Sequence, residues 1–127
     1  RGPLYSTEDL KNDRELGFKT IHCDEFQTHS IDQIVKRIKD RIGDNPLYIS
    51  IDIDVLDPAH APGTGTPEVA GMTTREILNV LRGLAGSNLV SADVVEVAPA
   101  YDHAELTSTA AATIVYELVN LIARSPK

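Results

Sequence analysis

One cysteine, Cys23, and no tryptophan stand among the 127 residues. A single thiol excludes an intrachain disulfide framework and any cysteine-based zinc cage. Cationic side chains are scarce as well: 12 Lys and Arg face 19 Asp and Glu, for a net charge of −7. That balance argues against a nucleic acid or an anionic membrane as partner, since either requires a basic face. No apolar run approaches the roughly eighteen residues that a membrane span needs. An initiator methionine is missing too. The opening Arg1-Gly2-Pro3-Leu4 shows no signal-peptide pattern and reads as the middle of a longer sequence. Localisation is therefore open, with the cytoplasm as the default.

What is present suits a single ordinary domain. The apolar share is 42% and the charged share 24%, so a core can form and a disordered chain is excluded. No internal repeat, low-complexity tract or linker divides the chain.

Residues Ser6 to Leu16 are polar and suit a short exposed helix capped by Ser6 or Thr7. Phe18 to Cys23 alternates roughly and predicts a short strand. Ser30-Ile31-Asp32-Gln33 has the form of a capping box. Ile31, Ile34, Val35, Ile38 and Ile42 then recur at helical spacing up to Gly43-Asp44-Asn45-Pro46. Leu47 to Ile51 is short, β-branched and almost wholly apolar, which predicts a strand buried on both faces. A long Gly/Pro-rich loop follows from Leu56 to Met72. Thr73-Thr74-Arg75-Glu76 is a second capping box, heading a helix striped by Ile77, Leu78, Leu81 and Leu84. Leu89 to Val97 predicts another strand. Leu106 to Ile122 predicts a last helix with Ala111, Ile114, Val115, Leu118, Val119 and Ile122 as its apolar face. Strands alternating with helices imply a parallel sheet with helices packed on it.

In such a sheet, sites form beyond the carboxyl ends of the strands. Asp52 and Asp54 follow the first apolar strand. Two apart in an extended chain, their carboxylates project to one side. Like charges so placed repel, and a hard or borderline divalent cation such as Mg²⁺ or Mn²⁺ relieves them. The alternative is that one Asp caps a turn and the other is solvated. Glu96 interrupts the second apolar strand, with Asp93 on the opposite face. Glu96 suits paired hydrogen bonds to a planar guanidinium, or else a structural ion pair with an Arg.

The loop between them narrows the choice. Ser50-Ile51-Asp52-Ile53-Asp54, followed by Asp57-Pro58 and Pro62-Gly63-Thr64-Gly65-Thr66-Pro67, resembles the signature of the ureohydrolase (arginase/agmatinase) superfamily. Asp93 to Pro99 resembles that family's Glu-containing strand end, and Arg1-Gly2 and the Gly17-Phe18 region resemble segments that precede the signature. Gly63, and the absence of Asn before Pro99, look agmatinase-like. The resemblance implies a three-layer αβα fold with a mainly parallel sheet. It makes residues 1–127 the C-terminal part of a single ureohydrolase-type domain. It also implies hydrolysis of the guanidinium of agmatine or a related compound to urea and an amine, with two Mn²⁺ ions per complete site and a homo-oligomeric enzyme. By position, Asp52 looks like the carboxylate that bridges both metals, Asp54 like a terminal ligand, and Glu96 like the acceptor that orients the guanidinium.

Departures from the pattern are equally specific. The family's other ligands lie in a Gly-Gly-Asp-His and an Asp-x-His-x-Asp motif, and neither occurs here; His22-Cys23-Asp24 has the wrong spacing. Pro67-Glu68-Val69-Ala70-Gly71-Met72 lacks the usual paired Gly. The chain is thus expected to supply only part of a site, which leaves a catalytically inactive fragment or interaction module as an alternative. A haloacid-dehalogenase-like phosphatase is a weaker rival. It would use Asp52 as nucleophile and Asp54 as acid/base, but needs a later Lys, and only Lys127 follows Glu96. Among the remaining residues, Asp57 is expected to fix a turn, Glu68 to hold the loop, Cys23 to be buried, and His60 to be exposed.

Overall fold

A capping box opens each of the two central helices in the computed structural model, which describes residues 6–126. Ser30 Oγ accepts from the Gln33 N–H while Gln33 Oε1 accepts from the Ser30 N–H at 2.8 Å. This starts α2 (Ile31–Ile42), which ends at Gly43. Thr73 and Glu76 make the same reciprocal pair ahead of α3 (Thr74–Gly83). The order is α1 (Thr7–Glu15), α2, β1 (Leu47–Asp52), α3, β2 (Leu89–Val95) and α4 (Leu106–Ala123), with short 3-10 turns between. The expectations for Arg1-Gly2 and Lys127 lie outside the described residues.

β1 and β2 pair in parallel, with Ile49 beside Ala92, Ile51 beside Val94, and Asp52 beside Val95. The α3 crossover joins them, as parallel pairing requires. One face of this sheet shares a core with α2, α3 and α4, built on Ile34, Ile51, Ile53, Leu56, Leu81, Ile114 and Leu118. α2 and α3 approach closely, because a Cβ on Gly83 would lie 2.5 Å from Val35 Cγ2.

Three expectations are corrected. Phe18 to Cys23 is not a strand: among the described residues only β1 and β2 form a sheet, so alternation without a pairing partner yields no ladder. Phe18 is exposed, and Cys23–Gln27 forms a 3-10 turn tied by Glu25 to the His22 N–H (2.8 Å) and to Arg37 (2.5 Å). β1 is not buried on both faces. Tyr48, Ser50 and Asp52 are exposed, because the three packed helices lie against the opposite face. On the open face Tyr48 Oη and Ser50 Oγ both donate to Asp93. Both bonds lower the Asp93 pKa, and the bond to Asp93 raises that of Tyr48. The third correction concerns α4. It is long and apolar enough, by length and composition alone, to cross a membrane. Its inner residues Ala110, Ala111, Ile114, Leu118 and Leu121 are buried in the shared core, whereas Val115, Val119 and Ile122 are exposed.

Candidate functional site

The two candidate carboxylates of the first strand end are set by a change of backbone geometry. β1 stops at Asp52, and Ile53–Val55 winds into a 3-10 turn whose first N–H groups need acceptors. Asp52 Oδ1 accepts from the Asp54 N–H at 3.3 Å. Asp54 therefore does not continue the strand, and its direction relative to Asp52 is not that of an extended chain. It is half-buried, and Thr66 Oγ1 donates to its Oδ2 at 2.6 Å.

The loop that carries Thr66 is anchored at both ends. Asp57 Oδ1 accepts from the Ala59 N–H and Oδ2 from the Ala70 N–H, both at 2.9 Å. Those backbone donors hold the Asp57 pKa below the ordinary carboxylate value, and the turn-fixing role expected of Asp57 is realised. Met72 N–H donates to the Val55 carbonyl, and Asp57 N–H to the Met72 carbonyl. Glu68 does not hold the loop: it is exposed and has no hydrogen-bond partner among the described residues. The work falls to Asp57, whose carboxylate reaches backbone donors on both arms. His60 is half-buried rather than exposed, its Nδ1 lying 3.4 Å from Thr74 Oγ1. Cys23 is half-buried against the core.

At the other strand end, β2 stops at Val95 and Glu96 turns the chain with φ +64°. A left-handed conformation costs a non-glycine residue about 1–2 kcal/mol. It persists only where neighbouring bonds impose it. Here the next residues are held: Val97 bridges Thr64 in antiparallel fashion, and Ala98 N–H donates to the Gly63 carbonyl at 2.8 Å. Glu96 is exposed, and its carboxylate has no ion-pair or hydrogen-bond partner among the described residues. The structural Arg pair considered for it is not formed among the described residues. Because Asp52 stands beside Val95 in the sheet register, Glu96 is one residue beyond Asp52's partner. The segment Gly63 to Thr66 thus bonds to the Glu96 turn at one end and to Asp54 at the other.

Behind this segment lies a network that the sequence did not disclose. Asp102 Oδ1 accepts from the Thr107 N–H, and Oδ2 from the Ser108 N–H and Ser108 Oγ, each at 2.8 Å. Asp102 therefore caps α4 from four residues ahead of its first turn. Positive φ at Ala104 and Glu105 folds it back there. Partial burial opposes its charge, but the hydrogen bonds from Thr107 and Ser108 prevail and lower its pKa to about 2. Thr107 is fully buried, and its Oγ1 accepts from the Gly63 N–H at 2.7 Å. An Asp ahead of an apolar helical run was the available signal, but its spacing from α4 disguises it. Thr64 Oγ1 is buried and lacks a partner among the described residues.

The donor chemistry fits Mn²⁺ in kind, since carboxylate oxygens suit it. It does not fit in number. Among the described residues no three His, Cys, Asp or Glu side chains group closely enough to hold an ion, so Asp52 and Asp54 would supply part of a shell.

Comparison with known proteins places this arrangement. The model of the arginase family matches residues 1–120. The chain is 50% identical over 108 residues to an agmatinase of Photorhabdus laumondii, covering 85% of this chain and 35% of that protein. It is 45% identical over 125 residues to a guanidinopropionase of Pseudomonas aeruginosa, covering 98% and 39%. The solved proclavaminate amidino hydrolase of Streptomyces clavuligerus superposes with a TM-score of 0.87 at 42% identity, over 91% of this chain and 39% of that one. The chain thus spans about a third, 31–39%, of the length of these and other curated relatives that it matches. The α/β architecture with a parallel sheet is that of these neighbours. The chain belongs to the arginase family.

Proposed function

We propose that this chain contributes part of the site of an Mn²⁺-dependent ureohydrolase that hydrolyses the guanidinium of agmatine or a close analogue. The observation that carries the reading is the unpartnered Glu96 carboxylate, held in a strained turn one residue beyond the strand partner of Asp52. Glu96 has no cation partner among the described residues, and Asp52 and Asp54 end the neighbouring strand. A cationic substrate on Glu96 and divalent cations on Asp52 and Asp54 would meet these charges.

Hydrolysis adds water across a guanidinium carbon–nitrogen bond and releases urea and an amine. Metal ions, when bound, supply Lewis acidity and lower the pKa of a water. Asp52 and Asp54 would hold them, with Thr66 fixing the rotamer of Asp54 through its 2.6 Å hydrogen bond. Glu96 would accept two guanidinium N–H groups and orient the plane of the substrate. Relatives named for agmatine and for guanidinopropionate support a small guanidino substrate whose tail differs from enzyme to enzyme.

The deciding experiment incubates the intact protein with Mn²⁺ and either agmatine or guanidinobutyrate and measures urea. Mn²⁺-dependent urea release is expected; its absence with both compounds overturns the reading. Phosphate release from a phosphomonoester tests the phosphatase alternative in the same preparation.

A further inference from the structure

We propose that Thr107, a residue of α4 remote in sequence from the strand ends, is a positioning residue for Glu96. The inference rests on the reading of Glu96 as the guanidinium acceptor and deepens it.

Glu96 adopts a backbone conformation that its side chain disfavours. Its direction is set by whatever holds the chain immediately after it. That hold is an unbroken series of hydrogen bonds. Ala98 N–H donates to the Gly63 carbonyl (2.8 Å), and Gly63 N–H donates to Thr107 Oγ1 (2.7 Å). Thr107 is in turn fixed by its own N–H to Asp102 Oδ1 (2.8 Å). The hydroxyl therefore accepts the Gly63 N–H inside a site with no solvent exposure. Water cannot replace it there. The first turn of α4, packed in the core, becomes the rigid reference against which the Gly/Pro loop and the Glu96 turn are placed. A site built on a helix in this way is more exact than one left to its loops.

The experiment has two arms on the intact protein. The first is amide hydrogen exchange of the wild type. Gly63 lies in a loop yet is expected to exchange as slowly as core amides of α4, and Ala98 with it. Rapid exchange at Gly63 overturns the proposal without any variant. The second arm compares Thr107→Val, which keeps the β-branched shape but loses the hydroxyl, with Thr107→Ser, which keeps the hydroxyl. Thr107→Val is expected to speed exchange at Gly63 and Ala98. It should also lower kcat/KM for agmatine about tenfold, the scale of one misplaced charged hydrogen bond. Manganese content should not change, and Thr107→Ser should restore both readouts. In a Glu96→Gln background Thr107→Val is expected to add nothing, because its effect runs through Glu96. A loss that persists in full in that background overturns the proposal while the guanidinium reading stands. If instead Glu96→Gln leaves kcat/KM unchanged, the guanidinium reading falls and the proposal, which rests on it, falls too.

Discussion

A Cβ on Gly63 would lie 2.7 Å from both Cα and Cβ of Asp102, closer than real Cβ contacts come. The two residues are 39 positions apart in sequence, yet the loop and the turn ahead of α4 meet here with no room for a methyl group. The glycine is required by this approach and not by its own backbone angles, since its φ is not positive. Backbone atoms of Asp102 cannot swing aside as a flexible side chain would, because both carboxylate oxygens are tied to α4.

Gly63→Ala is therefore expected to destabilise the protein by about 1–3 kcal/mol, the usual cost of forcing a group into a filled interior. Urea unfolding measures it. An unchanged midpoint would show that the Asp102 turn yields freely.

Glu96 presents the opposite balance. Glu96→Gly removes the penalty of a left-handed glutamate and is expected to raise stability by about 1 kcal/mol. The same variant should lose turnover, and Glu96→Gln should lose it too, by about 2–5 kcal/mol in kcat/KM as an ionic hydrogen-bonded pair is broken. Neither change should alter metal content. Thermal melts, steady-state kinetics and metal analysis separate these effects; near-normal efficiency in Glu96→Gln would leave Glu96 with a purely structural role.

Asp52 and Asp54 are expected to differ in kind. In the intact protein Asp52→Asn should weaken both metals and Asp54→Asn mainly one. Thr66→Val should reduce affinity about tenfold by freeing the Asp54 rotamer, as loss of a hydrogen bond behind a metal ligand commonly does. Manganese stoichiometry of the purified variants is the measurement. Full occupancy in both Asn variants would refute the ligand assignment.

The Asp102 carboxyl supplies a pH test. Its pKa falls from 3.8 to about 2 in the folded chain. Between these values the unfolded state binds more protons, so stability rises with pH there. The contribution is complete above about pH 4 and disappears as pH falls through about 2. Asp102→Asn keeps an acceptor for the Thr107 N–H but has no proton to gain. Its melting temperature should depend less on pH than the wild type's across that window. Parallel acid profiles for the two proteins would count against the hydrogen bonds from Thr107 and Ser108 as the cause.

How much of this was legible follows from how local each feature is. α2 and α3 were readable because Ser30 with Gln33, and Thr73 with Glu76, write their caps three residues apart. Phe18 to Cys23 misled because alternation describes a strand's faces and says nothing of its partner. The exposed face of β1 misled because apolar content does not reveal which side the helices take. Asp52, Asp54 and Glu96 could be nominated from the strand ends. The bonds that hold them could not, since Thr66 reaches back 12 residues to Asp54, and Thr107 reaches back 44 to Gly63.

The last prediction concerns the 127-residue chain by itself. Asp52 and Asp54 offer at most four carboxylate oxygens, and one of these already accepts the Asp54 N–H and another the Thr66 hydroxyl. An ion such as Mn²⁺ with about six oxygen or nitrogen donors would draw most of them from water, and two ions would fare worse. No third side chain that could ligate a metal joins them among the described residues. Affinity should be weak, and a water near such an ion would not be fixed relative to a guanidinium on Glu96. Proximity without fixed orientation forfeits most of what an active site contributes. The isolated chain, supplied with excess Mn²⁺ and either agmatine or guanidinobutyrate, is therefore expected to release no urea above the metal-only control. Its open sheet, with β1 and β2 both at an edge among the described residues, should favour self-association, which sedimentation or light scattering would reveal. Sustained turnover by the pure chain would mean that the ligand set is completed by some other route, and a second copy meeting the first across that open sheet is the arrangement to test by mixing Asp52→Asn and Glu96→Gln chains and looking for restored urea release.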